Sequence, residues 1–328
     1  MSNTLPALAS SSEEVQELPA LNFLGPPGTY SHQAAFDVFG DSVRYVAKQT
    51  ITSVFESLSP ELPFGIIPQE NSTNGSVIET YNLLRCESAG RDSFVRGETN
   101  LSIKHSLVVR KNVKIEDIEH VFSHEQVRSH TSPFLYITHL DASLQALGQC
   151  KAFLKGHLPR ASLVPTDSTA SAARALLNAP SESFDPFKSA AICSTVVTSL
   201  FPGLEVLHTG IQDGESNMTR FYIVSYGADA RVPWQTPPIY QKRALIRLLP
   251  DRDSLAWDFS RAIKALNIPI SRIDRRPSLS SATFHDVYFL EVFAEGGEES
   301  DITWFDRVNQ AVERLRQGGL ESTILGIW

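Results

Sequence analysis

Much of what would announce a function is missing from this chain. It has three cysteines in 328 residues, Cys86, Cys150 and Cys193, an odd number with no CxxC spacing. That excludes a disulfide framework and indicates buried, reduced thiols in a cytoplasmic protein. No window approaches the roughly 18 apolar residues of a membrane span, so no membrane partner is expected. Residues 1–20 are rich in Ser, Glu, Ala and Pro, without the basic start and apolar core of a signal peptide, and read as a disordered tail. An excess of positive charge is missing too. Lys and Arg number 29 against 37 Asp and Glu, a net charge of −8, which argues against nucleic acid as a partner. An acidic chain can still hold an anion locally, in a nest of N–H groups with one or two Arg.

Most catalytic machinery is absent as well. There is no GxGxxG, no P-loop, no HExxH, no clustered His and Cys, and no GxSxG elbow. Neither a cofactor nor a metal is therefore expected, and a nucleotide-binding enzyme is disfavoured. The nine histidines are scattered, and His32 and His105 read as packing or capping residues. Asn-x-Ser/Thr sequons at Asn71 and Asn217 have no secretory context and call for another use.

What is present is a layered α/β pattern. Apolar residues make up 42% of the chain, enough for two or three compact units. Leu21 opens a short strand stopped at Gly25. Thr29 to Ser31 cap a helix ending near Phe39, with Gly40 as its stop, and Thr52 caps a second. Phe64 to Ile67 form a buried strand closed by Pro68, and Ser76 starts a helix carrying Val77, Tyr81 and Leu84. Further short strands at Ser106, Val121, Leu163 and Ala190 alternate with helices, which indicates a largely parallel sheet. Residues 227–240 are Pro-rich and read as a linker. Beyond them the pattern is strand, helix, strand, strand, helix, strand, the order of a small ferredoxin-like module over 241–328.

Four polar strings stand at strand ends or helix starts: Gly28-Thr29-Tyr30-Ser31, the run from Pro68 through Asn71 and Gly75 to Ser76, Ser168-Thr169-Ala170, and Asn217-Met218-Thr219-Arg220-Phe221. Each supplies hydroxyls, amides and free N–H groups where anions are readily held. Such a site suits an anionic substrate whose own chemistry is nearly spontaneous.

The strings resemble the motifs of the prephenate dehydratase family. Gly25-Pro26-Pro27-Gly28-Thr29 is similar to its GPxGT opening, and Glu70-Asn71-Ser72 with Gly75-Ser76-Val77 to its P-x-E-N-S-x-x-G-S-V motif. Ser168-Thr169-Ala170 resembles its STA segment and Asn217-x-Thr219-Arg220-Phe221 its N-x-TRF signature. The resemblance runs in order from about Leu21 to Val224 and is highly specific, and the domain it implies covers 21–226. It implies a two-lobed domain like type 2 periplasmic binding proteins, then a C-terminal ACT domain. No chorismate mutase domain precedes it, as in the stand-alone form. It implies cofactor-free conversion of prephenate to phenylpyruvate, in a homo-oligomer (dimer or tetramer) with feedback by phenylalanine. Thr219 inherits hydrogen-bond donation to the departing oxygen. Arg220 neutralises a carboxylate or points away from the cleft, because strand neighbours alternate faces. Glu70 orients its neighbours or acts on the ring. Thr29, Asn71, Ser72, His124, Gln126, Ser168, Thr169, Asn217 and Phe221 are the implied substrate contacts, with Phe221 equally readable as core.

The chain departs from the family in two places. The family segment S-H-P-Q-A-L-x-Q-C is matched at its front by Ser123 to Gln126 and at its back by Ala146 to Cys150, with 19 residues, 127–145, between them. Removing them leaves SHEQALGQC. The insert is a retained intron, its Val and Gln codons permitting splice-site ends in a eukaryotic source, or a genuine surface loop. Beside a cleft it would weaken an enzyme. In the C-terminal module the family's ligand-binding GAL segment reads Arg243-Ala244-Leu245 here, and its ESRP segment reads Asp274-Arg275-Arg276-Pro277. These carry the expected allosteric role, with Arg243 in place of a glycine that gives close backbone approach. The competing reading is a non-catalytic aromatic-acid or amino-acid binding protein, which has no need of a hydroxyl at Thr219.

Overall fold

The computed structural model describes residues 18–124, 146–180, 184–214, 217–235, 242–250, 258–279, 285–295 and 300–328. Residues 1–17, Gln126, the 127–145 insert and the side chain of His124 lie outside that description. So does Leu255.

The chain begins with β1 (Ala20–Leu24), α1 (Tyr30–Phe39), β2 (Arg44–Lys48), α2 (Ile51–Glu56), β3 (Phe64–Asn71), the short β4 (Gly75–Ser76), α3 (Ile78–Leu84) and the long β5 (Ser93–Ser102). It then crosses into a second sheet: β6 (Ser106–Arg110), β7 (His120–His124), α4 (Ala146–Gln149), α5 (Lys151–His157), β8 (Ser162–Thr166), α6 (Thr169–Ala175), β9 (Ser189–Cys193), α7 (Val197–Leu200) and β10 (Leu204–Thr209). It returns along β11 (Met218–Tyr226). The C-terminal part is β12 (Arg243–Leu249), α8 (Phe259–Leu266), β13 (Ile270–Pro277), β14 (Asp286–Phe293), α9 (Asp301–Gln317) and β15 (Glu321–Ile327).

Among the described residues, these strands make two sheets of mixed direction. The smaller runs β10-β6-β9-β7-β8. The larger runs β13-β14-β12-β15-β5-β11-β3-β1-β2, with β4 on β3. The expectation of largely parallel sheets is corrected here. β1 is parallel to β2 and β3, but β11 is antiparallel to both β3 and β5. The reason is topological: β5 carries the chain out to the second sheet and β11 brings it back, so they must run oppositely.

Local chemistry accounts for most boundaries. Thr29 caps α1, its hydroxyl accepting from the His32 N–H at 3.4 Å, and Gly40 ends the helix with φ 48°, a left-handed angle that favours glycine. Thr50, not Thr52, caps α2 through a reciprocal box with Ser53. β3 does not stop at Pro68. It runs on to Asn71, because β1 pairs with it only up to Ile66 and so needs no N–H from residue 68. On the other side, the register with β11 shifts between Arg220↔Glu70 and Phe221↔Pro68, which leaves Gln69 as a bulge. Gln69 is fully buried and donates from Nε2 to the Tyr81 hydroxyl at 2.6 Å.

The C-terminal module is not a separate bead. β15 joins β5 through Gly326↔Val95, and a Cβ on Gly326 would lie 2.0 Å from the Val95 carbonyl oxygen. One core cluster runs across the seam, mixing Ile67, Tyr81 and Tyr222 with Leu245, Phe289 and Leu325. The described part of the Pro-rich segment is docked as well: Trp234 stacks on Phe39 at 5.7 Å and covers Gly97. No described helix is long and apolar enough to cross a membrane.

Candidate functional site

The second and fourth polar strings meet across β3 and β11, where Thr219 pairs in register with Asn71. Side chains directly opposite on an antiparallel pair share a face. The Asn71 amide nitrogen donates to Thr219 Oγ1 at 3.0 Å, to Asn217 Oδ1 at 2.7 Å and to the Met218 carbonyl at 3.3 Å. Its amide oxygen accepts from the backbone N–H groups of Thr73 and Asn74, both at 3.0 Å. Those N–H groups can only donate, so the orientation of the amide is fixed, and Thr219 must accept from it. The proton of the Thr219 hydroxyl then has no acceptor among the described residues. Thr219 is 4% exposed and Asn71 5%. Ser72 locks the same junction, its N–H donating to the Met218 carbonyl at 2.8 Å and its hydroxyl accepting from the Met218 N–H at 2.9 Å. Gly75, at φ 79°, lets the turn close onto β4.

The first and third strings also meet. A Cβ on Gly28 would lie 3.2 Å from that of Ala170. Ser168 caps α6 by accepting from the Ser171 N–H at 3.0 Å, and Thr169 is buried at its first turn. The Thr29 hydroxyl is spent locally, donating to the Leu24 carbonyl at 2.9 Å while it caps α1. Burial lowers the His32 pKa to about 4, which keeps the ring neutral so that Nδ1 can accept the Gly28 N–H at 3.1 Å. Ser194, at the end of β9, donates to the Gly28 carbonyl at 3.0 Å and ties this loop to the second sheet. Gly28 follows the end of β1 and Asn71 ends the parallel β3, so both meetings stand at the same end of the large sheet, where α/β folds place their sites.

Two expected catalytic residues are not part of this group. Glu70 and Arg220 pair with each other in register, but on the opposite face. Glu70 is ion-paired to Arg272 of β13, and Arg220 Nη1 lies 3.4 Å from Glu291 and 4.0 Å from Glu98. This corrects their reading as groups that touch the substrate: each is one residue from a front-face side chain, and alternation turns it to the back. Phe221 is 2% exposed in the core beside Phe23 and Ile66, which decides its reading for packing.

Of the expected allosteric residues, Ala244 and Leu245 are buried in core clusters. Asp274 accepts from Ser76 at 2.7 Å and pairs with Arg272. Arg276 donates to the Asn82 side chain at 3.0 Å, the Pro277 carbonyl accepts from Arg85 at 2.7 Å, and Arg275 pairs with Asp286 at the surface. Arg243, standing where the family has glycine, reaches Glu98 of β5 at 3.5 Å and bonds to Glu291. Burial raises the Glu98 pKa, opposed by Arg243 and Arg220 and assisted by Glu291.

Sequence reasoning missed the crossover. His105, between β5 and β6, is fully buried, with Nδ1 2.5 Å from the Tyr30 hydroxyl and Nε2 2.8 Å from Gln149 Oε1. Gln149 belongs to the back half of the interrupted segment, which was the available signal. α4, which carries it, packs against β7, so the two ends flanking the insert are neighbours. A cavity of about 450 Å³ beside the crossover is lined by Tyr30 of the first polar string and by Gln33, Ser102, Lys104 and Ser194, which the sequence did not single out.

Comparison with known proteins places this arrangement. The family described as Prephenate dehydratase matches residues 21–141 and 134–229, two stretches that meet within the insert. The chain is 27% identical over 305 residues to the bifunctional chorismate mutase/prephenate dehydratase of Pseudomonas aeruginosa, covering 93% of this chain and 71% of that one. It is 27% identical over 258 residues to arogenate dehydratase 2 of Petunia hybrida, covering 78% of this chain and 56% of the relative. Among solved structures, prephenate dehydratase from Arthrobacter aurescens in complex with L-Phe is similar with a TM-score of 0.65 and 24% identity, over 94% of this chain and 89% of that one. The structure of GqqA, described as a novel type of quorum quenching acylase, has the same TM-score at 19% identity, over 94% of this chain and 96% of that one, so the fold alone does not decide the activity. The motifs and the family match do: the chain belongs to the prephenate dehydratase family.

Proposed function

We infer that this chain converts prephenate to phenylpyruvate, CO₂ and water. The electron pair of the ring-to-carboxylate bond moves into the ring as CO₂ leaves. The ring hydroxyl departs, and with one proton taken up it becomes water. Aromatisation drives the step, so what the protein must supply is a grip on a dianion and a donor aimed at the leaving oxygen.

The observation that carries the reading is the state of Thr219. One of its two oxygen lone pairs accepts from the Asn71 amide, which orients the hydroxyl and leaves its proton free to be donated. A threonine is a poor proton source, and its role is hydrogen-bond donation rather than full transfer. A positioned donor of this kind is worth about 10²–10⁴-fold, or roughly 3–5 kcal/mol. Asn71 positions that donor, and Asn217 and Ser72 hold Asn71 in place. Ser168 and Thr169 offer N–H groups at the start of α6 to the carboxylates, whereas the Thr29 N–H already donates to the Pro26 carbonyl at 3.3 Å.

The arrangement favours prephenate over arogenate. Arogenate carries an ammonium where prephenate carries a keto group, and an ammonium wants a carboxylate. Among the described residues assigned to this face, all are amides or hydroxyls, while Glu70 is turned away and paired.

The domain reading follows: a two-lobed domain over 21–226 resembling type 2 periplasmic binding proteins, with β5 and β11 as its two crossings, a 227–240 connection, and an ACT domain over 241–328. The βαββαβ order and the sheet order β13-β14-β12-β15 support the ferredoxin-like reading. Phenylalanine control through the ACT domain, supported by the L-Phe complex of the Arthrobacter aurescens protein, belongs to the proposal, as does a homo-oligomer in the cytoplasm. The test is an assay for phenylpyruvate from prephenate and from arogenate, with and without phenylalanine, on the chain with and without residues 127–145. Prephenate turnover that strengthens on removal of the insert is expected. Binding of prephenate without turnover in both forms would favour the non-catalytic reading.

A further inference from the structure

The back face of the strand that carries Asn71 makes a contact the chemistry above does not use. Arg272, on β13 of the C-terminal module, is ion-paired to Glu70. Its Nη2 also donates to the Ser76 hydroxyl at 2.8 Å, and Nε and Nη2 both reach Asp274. The Ser76 hydroxyl donates in turn to Asp274 Oδ1 at 2.7 Å. Glu70 and Ser76 are register partners across β3 and β4, as are Asn71 and Gly75. One guanidinium therefore grips both ends of the turn that contains Asn71, Thr73 and Asn74. The grip is well built. The Arg272 side chain is 17% exposed. Burial works against its charge, but Asp274, Tyr81 and Glu70 raise its pKa overall. Burial likewise pushes the Asp274 carboxyl up, yet hydrogen bonds from Arg272, Ser76 and Tyr81 hold it below the ordinary value. Arginine suits this position because its planar fork can serve three partners at fixed angles, which a lysine cannot.

We propose that Arg272 is a positioning residue for the dehydration: reaching from the C-terminal module, it clamps the Glu70–Ser76 turn and so fixes the Asn71 amide against Thr219. This rests on the function proposed above and adds that the C-terminal module completes the catalytic geometry rather than only modulating it. Asp274 and Glu70 share the one guanidinium, so whatever engages Asp274 changes the hold on Glu70. The expected allosteric segment thereby has a two-residue route to the catalytic strand.

The test uses the full chain with Arg272→Met, Arg272→Lys, Glu70→Gln and the double variant Arg272→Met/Glu70→Gln. A displacement of about 1 Å at a reacting group costs on the order of 10²-fold, so Arg272→Met is expected to lower kcat by tenfold or more, with KM within about twofold. Arg272→Lys recovers part of that loss. Glu70→Gln moves kcat the same way, and the double variant is no worse than Arg272→Met alone, because both break one link. Hydrogen exchange supplies a readout that does not depend on activity. The Thr73 and Asn74 amides, which bond to Asn71, should exchange faster in Arg272→Met and in Glu70→Gln while those of β11 and β5 stay protected. If the wild-type chain does not turn over prephenate, the functional reading fails, and exchange still decides the clamp. Folded variants with unchanged kcat, or unchanged exchange at Thr73 and Asn74, would overturn the proposal. If Arg272→Met does not fold, Glu70→Gln carries the same test from the other end of the link.

Discussion

The two faces of β3 and β11 are built from alternate residues of the same strands and share almost no chemistry. On the front, Asn71, Asn217 and Thr219 form a neutral group of amides and a hydroxyl, each oriented by a hydrogen bond. On the back, Glu70 joins Arg272 and Asp274 in one ionic group and Arg220 joins Arg243, Glu98 and Glu291 in another, and both groups fasten the C-terminal module to β3, β5 and β11. A neutral front suits a dianionic substrate. A carboxylate there would repel it, and a full positive charge would bind substrate and transition state alike, which lowers KM without raising kcat. Charges are concentrated where they can be paired and kept. The period of a strand is what separates the tasks, and the shared backbone is what couples them.

Three changes break or sharpen this comparison. The largest effect is expected from Gly326→Ala, which touches neither face but forces apart the seam between β15 and β5, since its Cβ would sit 2.0 Å from the Val95 oxygen. Overpacking of this kind costs about 3 kcal/mol, and thermal unfolding should show a lowered first transition. Asn71→Asp acts on the front alone. It replaces the N–H that holds Thr219 with a negatively charged acceptor, and kcat for phenylpyruvate formation should fall by about 10²-fold, equivalent to roughly 2.7 kcal/mol, with the fold intact by circular dichroism. Arg220→Met acts on the back alone. It leaves Glu98 and Glu291 to Arg243, and about 1–2 kcal/mol of stability should be lost in urea unfolding while kcat stays within about twofold. A large kcat loss in that variant would return Arg220 to the cleft.

Much of this was legible in the sequence. The α1 helix between Thr29 and Gly40, the β11 strand opening on Thr219, and the βαββαβ order of the C-terminal part all follow from caps, apolar runs and glycine stops. The pairing of Asn71 with Asn217 gives both sequons their other use, since these asparagines are structural donors and acceptors at the site. What was not legible has identifiable causes. Motif membership names a string but not a face, so the sequence leaves open whether Arg220 enters the cleft or turns away and whether Glu70 orients its neighbours or acts on the ring. Pro68 reads as a strand stop, and only the short reach of β1 shows why it is not one. Trp234 lies in a Pro-rich run that reads as a linker, yet its ring finds Phe39 and the bare backbone of Gly97. Gly326 has no turn signal, because its role is a close approach to a strand some 230 residues earlier in the chain. Arg243 reads as the loss of a ligand-contacting glycine, whereas its partners make it a pin between modules.

The central claim is that the Thr219 hydroxyl is held by Asn71 as a donor to the departing oxygen. The direct measurement is kcat and KM for prephenate in Thr219→Ser and Thr219→Val. The serine variant keeps the hydroxyl and should retain kcat within about tenfold, while the isosteric valine should lose about 10²-fold or more with little change in KM. A folded valine variant that turns over at the wild-type rate would contradict the account.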